Sequence, residues 1–145
     1  GFSVVIPDFY KGDPWPHGNV PPQKDGTFPL GVEPADGMDC LVTWLMTAPV
    51  NRFDHNDELT KVKEYMVNEC GCPQKFGMVG MCWGGKVSFT AARAGLVDAV
   101  ATCHGSFLNK EDSAGTNVPM CLLNSREEPE TYKTEILPVM DSKPF

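Results

Sequence analysis

Apolar positions along the 145 residues follow two alternating patterns. Short, nearly continuous apolar runs occur at Phe2-Ser3-Val4-Val5-Ile6, Phe76-Gly77-Met78-Val79, residues 97–103 and Pro119-Met120-Cys121-Leu122-Leu123-Asn124. Runs of this length read as strands buried on both faces of a parallel sheet. Between them the apolar spacing changes to that of a helix. Over 34–48, Met38, Leu41, Val42, Leu45 and Met46 share a face, with Pro34 in the first turn and Pro49 as the stop. From Asp57 to Asn68, Leu59, Val62, Tyr65 and Met66 form a stripe opposite Lys61, Lys63 and Glu64, and Gly71 and Pro73 end it. A third helix, Gly85 to Ala94, carries Val87, Phe89, Ala91 and Ala92, small enough to pack closely on a sheet. The last segment, about Glu130 to Met140, reads as a short helix or loop. Strands alternating with helices predict one α/β domain over 1–145, with a parallel sheet and right-handed crossovers.

Residues 7–33 interrupt this alternation. They are rich in Pro and Gly yet carry Phe9, Tyr10, Trp15 and Phe28, too many aromatics for a linker. The segment follows the C-terminal end of an expected strand, where ligand crevices open in α/β sheets. Tyr10 and Trp15 are therefore candidate pocket residues, with loop anchoring as the alternative role.

The net charge of −7 argues against nucleic acid and anionic membrane surfaces as partners. No apolar run approaches the roughly 18 residues of a membrane span. The six cysteines, Cys40, Cys70, Cys72, Cys82, Cys103 and Cys121, form no CxxC pair, and no metal-ligand set or cofactor motif is read from them. Most lie in apolar runs, which predicts reduced, buried thiols and a cytoplasmic protein. The chain opens on Gly1 in an expected strand and closes without a helix, so a partial domain is expected, lacking the first strands and the C-terminal end.

The stretch with the most chemical content is Gly80-Met81-Cys82-Trp83-Gly84-Gly85. It has the form Gly-x-nucleophile-x-Gly between an expected strand and an expected helix, the context of a nucleophile elbow. The turn strains the backbone of the central residue and leaves little room for neighbouring side chains, hence glycine on both sides. The competing reading is a buried cysteine in a glycine-rich turn. Of the three histidines, His17 lies in the proline-rich loop and His55 on the surface before a helix. His104 ends the strand expected beside the elbow, as a pocket-lining or hydrogen-bonded residue.

With these segments in view, the chain resembles the dienelactone hydrolase family, an α/β-hydrolase branch with a cysteine nucleophile. The resemblance rests on Gly1 to Tyr10 with Gly12-Asp13-Pro14-Trp15, on Val79 to Lys86, on His104-Gly105-Ser106-Phe107-Leu108, and on the strand from Pro119. It implies an α/β-hydrolase-like parallel sheet with helices on both faces. It also implies a triad in the order nucleophile, acid, histidine. Cys82 matches the nucleophile and the Trp83 backbone N–H an oxyanion donor. The acid falls at Glu128, nine residues after Pro119 and Glu where the family has Asp, with Glu127 as the alternative. The triad histidine falls downstream of the chain. His104 stands out of order to replace it.

The resemblance implies cleavage of a small-molecule ester or lactone by acyl transfer, without a cofactor. The alternative is a degenerate hydrolase fold serving as a structural or interaction subunit. A redox role pairing Cys82 with Cys103 is the weakest of the three. Oligomeric state is not legible.

Overall fold

The computed structural model describes residues 2–12, 53–126 and 128–145. The chain divides into two units, Gly1–Arg52 and Phe53–Phe145. In the second unit, helix α1 (Asn56–Asn68) begins with Asp57 and Glu58 in its first turn, where their charge complements the helix dipole. Leu59 and Met66 of its stripe are buried, whereas Tyr65 is 59% exposed. The helix ends where Gly71, at φ 63°, turns the chain so that the Cys72 N–H bonds back to the Met66 carbonyl at 2.9 Å.

Strands β1 (Gly77–Met81), β2 (Ala99–Cys103) and β3 (Met120–Leu123) form a parallel sheet in the order β1-β2-β3. Met81 stands opposite Cys103, and Cys103 opposite Leu123, so the three strands finish level with one another. This common C-terminal edge carries the site. Helix α2 (Trp83–Arg93) connects β1 to β2 and buries Val87, Phe89, Ala91 and Ala92. Phe89, fully buried, packs with Tyr132, Ile136 and Met140, and Met120 and Leu122 of β3 complete the cluster. The opposite face of the sheet is open at Val79 and Met81, each 70% exposed, and at Leu123, 55% exposed. The helix expected over 34–48 lies outside the described residues.

Helix α3 (Lys110–Gly115) is too short and polar to show periodicity. A capping box makes it: Asn109 Oδ1 accepts the Asp112 N–H, and Asp112 Oδ2 accepts the Asn109 N–H. The Asp112 carboxylate is buried and pairs with Lys86 Nζ at 2.6 Å and Arg93 at 3.4 Å, which fastens α3 to α2. A buried carboxylate needs such partners to remain charged. The chain then forms a π-helical turn, Tyr132–Ile136, and helix α4, Leu137–Asp141. Pro138 at the start of α4 has no N–H to donate to the turn before it, so the widened turn meets a residue that regular α-helical bonding does not suit.

Three expectations are corrected. Residues 2–8 form no strand: Phe2, Val4 and Ile6 are 102%, 84% and 89% exposed. An apolar run becomes a buried strand only with ladder partners and a covering layer, and the described residues give it neither. The five described cysteines are free but not buried, since Cys70, Cys82 and Cys121 are exposed and Cys72 and Cys103 partly so, while Cys40 lies outside the described residues. Cys121 faces away from the core because side chains alternate along β3. His55 is 2% exposed rather than on the surface, with its ring edge-on to Trp83 at 5.4 Å and Nδ1 3.7 Å from Glu58. No described helix is long and apolar enough to cross a membrane.

Tyr132 provides a test of the core. Burial, with the charge of Glu128 in second place, pushes its phenol up to about 12 against the weaker pull of the Thr102 hydroxyl. The folded state therefore holds the phenol proton more tightly than the unfolded chain does. The resulting stability is complete below about pH 10, the ordinary tyrosine value, and is lost as pH rises towards about 12. Urea unfolding of the full-length protein between these limits should show a decline that is shallower in Tyr132→Phe.

Candidate active site

Cys82 occupies the N-cap of α2 with φ 51° and ψ −116°. A non-glycine residue there is strained by about 1–3 kcal/mol. The turn is held from both sides. The Cys82 N–H bonds the Cys103 carbonyl at 3.1 Å, continuing the β1–β2 ladder by one residue. The Cys82 carbonyl accepts N–H bonds from Gly85 at 2.9 Å and Ser106 at 3.0 Å. The thiol is exposed, which excludes the buried-cysteine reading.

The glycines divide the task differently from the expected flanking pair. A Cβ on Gly80 would overlap the Gly84 carbonyl and come within 2.9 Å of the Gly85 nitrogen. A Cβ on Gly85 would lie 2.6 Å from the Gly105 Cα, whereas one on Gly84 would meet nothing within 4 Å. Gly80 thus lets the elbow close, and Gly85 lets the loop after β2 lie against it. Trp83 opens α2, so its backbone N–H belongs to the first helical turn.

The loop after β2 contributes His104, whose N–H continues the β2–β3 ladder to the Leu123 carbonyl at 2.9 Å. It adopts φ 51°, the same sign as Cys82, and its ring projects beside the end of β3. There His104 Nδ1 lies 3.1 Å from Glu128 Oε1. The imidazole side chain is 54% exposed and the carboxylate 3%. Burial pushes the Glu128 carboxyl up, but the Ser125 N–H at 2.9 Å and the His104 ring together outweigh it and hold the group below the usual glutamate value. An ionised carboxylate is an acceptor only, so Nδ1 carries the proton of this bond and Nε2 is left facing outward from it.

The structure therefore brings Cys82, His104 and Glu128 to the ends of β1, β2 and β3 in turn. Glu128 is buried and engaged rather than part of an exposed acidic turn. Glu127 and Trp15 lie outside the described residues. Tyr10 belongs to the first unit, where Asp8 accepts its N–H at 3.0 Å and that of Gly12 at 2.8 Å in a tight turn. Two residues of the rim had no role assigned from the sequence: Ser125, which braces Glu128, and Ser106, whose Oγ lies 3.3 Å from Cys82 Sγ. Neither stands in a spacing that marks it, because each reaches its partner through a turn. A concavity of about 380 Å³ beside β3, lined by Met120, Leu122, Leu137, Met140 and Phe145 among others, includes none of the three rim residues, so it is not assigned to the site.

A parallel α/β sheet with a strained cysteine at a strand-to-helix turn and a polar rim at its strand ends fits the α/β-hydrolase class. The chain belongs to the dienelactone hydrolase family, whose model matches residues 1–129. It is 30% identical over 128 residues to an uncharacterized AIM2 family protein of Schizosaccharomyces pombe, covering 88% of this chain and 47% of that protein. It is 27% identical over 130 residues to hydrolase pyvD of Aspergillus violaceofuscus, covering 88% and 44%. The human carboxymethylenebutenolidase homolog is 28% identical over 86 residues, 59% of this chain and 27% of that protein. The chain thus spans less than half the length of these relatives. No solved structure matches it.

Proposed function

We propose that the full-length protein is a hydrolase that opens a small ester or lactone by acyl transfer to Cys82. The observation that carries this reading is an exposed thiol at φ 51° between β1 and α2. Family membership and the hydrolase named among the relatives support it. In the first step the thiolate attacks the carbonyl carbon. The S–C bond forms, the ester C–O bond breaks, and the Trp83 N–H helps hold the oxyanion. A histidine held by the Glu128 carboxylate takes the thiol proton and passes it to the leaving alkoxide. Water activated by the same ring then attacks the thioester, breaking C–S and releasing the acid.

In the resemblance that ring follows the acid in chain order, and residues 129–145 hold no histidine. The 3.1 Å bond from His104 to Glu128 favours a second reading, in which His104 is the ring that Glu128 orients. Steady-state hydrolysis of small lactones and aryl esters by the full-length protein tests both. Turnover is expected. In His104→Ala it stays within about tenfold of wild type on the first reading. On the second it falls by at least about 10²-fold, the scale of a lost general base, with an unchanged melting curve. No turnover of any substrate in the panel, with Cys82 never acylated, would leave the structural-subunit alternative.

A further inference from the structure

We propose that Ser106 is a positioning residue for Cys82, its hydroxyl donating to the thiolate and fixing the sulfur for attack. This rests on the reading of Cys82 as nucleophile. Ser106 Oγ lies 3.3 Å from Cys82 Sγ. A thiol and a hydroxyl bond in either sense at that distance, but a thiolate has no proton to give. Once the sulfur ionises, the hydroxyl is the donor, and a hydrogen bond to a charged acceptor is roughly twice as strong as a neutral one. Although Cys82 is the N-cap of α2, its side chain makes no capping bond to the helix. The sulfur is turned to Ser106 instead.

The placement of Ser106 is built rather than incidental. Its own N–H bonds the Cys82 carbonyl at 3.0 Å, so backbone and side chain both reach the elbow. Gly105, one residue earlier, lies against Gly85 so closely that a Cβ on Gly85 would come 2.6 Å from its Cα. His104 at φ 51° and Phe107 at φ 62° bracket the turn that aims the hydroxyl. Each end of the turn is anchored, His104 on Glu128 and Phe107 on the Phe53 ring at 5.5 Å. Among the described residues, the titratable groups around the elbow are His104 and Glu128 at the strand ends, Cys103 on β2 and His55 against Trp83, while Lys86 of α2 is committed to Asp112.

The test is the alkylation of Cys82 by iodoacetamide in the full-length protein, read at that residue by peptide mass spectrometry between about pH 5 and 9. Wild-type Cys82 should react. Ser106→Ala should react about tenfold more slowly at neutral pH, the scale of one lost hydrogen bond to a charged acceptor. Ser106→Thr, which keeps the hydroxyl, should return to within about threefold of wild type. If Ser106→Ala melts early, Ser106→Gly carries the same expectation. A reactive wild-type thiol with an unchanged rate in the hydroxyl-free variants, or a slowed rate that Ser106→Thr does not restore, overturns the role of Ser106 alone. A wild-type Cys82 that is inert throughout overturns the nucleophile reading, and this inference with it.

Discussion

Cys82→Ala should lower kcat/KM of the full-length protein by at least about 10³-fold while leaving its unfolding transition in place. The magnitude follows from what is removed. Without the sulfur no acyl-enzyme forms, and only binding and the oxyanion donor remain, a residue of catalysis far below that of an intact nucleophile. The fold should tolerate the change because Sγ is exposed and its hydrogen bond is to a partly exposed serine rather than to the core. The φ of 51° is costly for any side chain, so alanine relieves nothing and the backbone strain stays. Cys82→Ser should also lose most activity, since a hydroxyl is far harder to ionise than a thiol. Initial rates on a small lactone, beside urea unfolding of the same samples, measure both parts.

The second large effect concerns two glycines of one motif and has opposite outcomes. Gly80→Ala should destabilise the protein by about 3 kcal/mol, the upper range for overpacking, and abolish turnover. Its new methyl would overlap the Gly84 carbonyl, a backbone group that no rotamer change can move aside, so the start of α2 must shift. Gly84→Ala should be neutral or stabilising by up to about 1 kcal/mol, since its methyl meets nothing within 4 Å and alanine suits a helix better than glycine. Urea midpoints of the two variants decide the matter. Equal losses would mean that glycine serves the turn through flexibility rather than through space.

The elbow was legible because two periodicities meet at it. Strand β1 and helix α2 fall within two residues of the segments expected on either side of Cys82, and β2 and β3 lie within residues 97–103 and 119–124. The end of α1 at Asn68 was set by Gly71 and Pro73, local signals that no tertiary contact contradicts. Where the reading failed, the cause was tertiary. Residues 2–6 have the composition of a buried strand, but composition does not supply ladder partners. Cys121 sits in an apolar run yet faces away from the core, because membership of a strand does not say which face is covered.

The site was half legible for a similar reason. Cys82 is announced by its neighbours in sequence. Its hydrogen-bond partner Ser106 is 24 residues away, and His104 is 24 residues from Glu128. These pairings exist because Met81, Cys103 and Leu123 end level in the sheet, a matter of register that no local motif encodes. Helix α3 was missed because its six residues carry no apolar stripe, although Asn109 and Asp112 spell a capping box.

The most direct measurement is rapid quenching of the full-length protein during hydrolysis of a slow small ester, followed by peptide mapping of the covalent adduct. The account predicts one acyl group as a thioester on the peptide carrying Cys82, formed and lost at rates consistent with turnover. Hydrolysis that proceeds with no adduct at Cys82, or with the acyl group on another side chain, would contradict it.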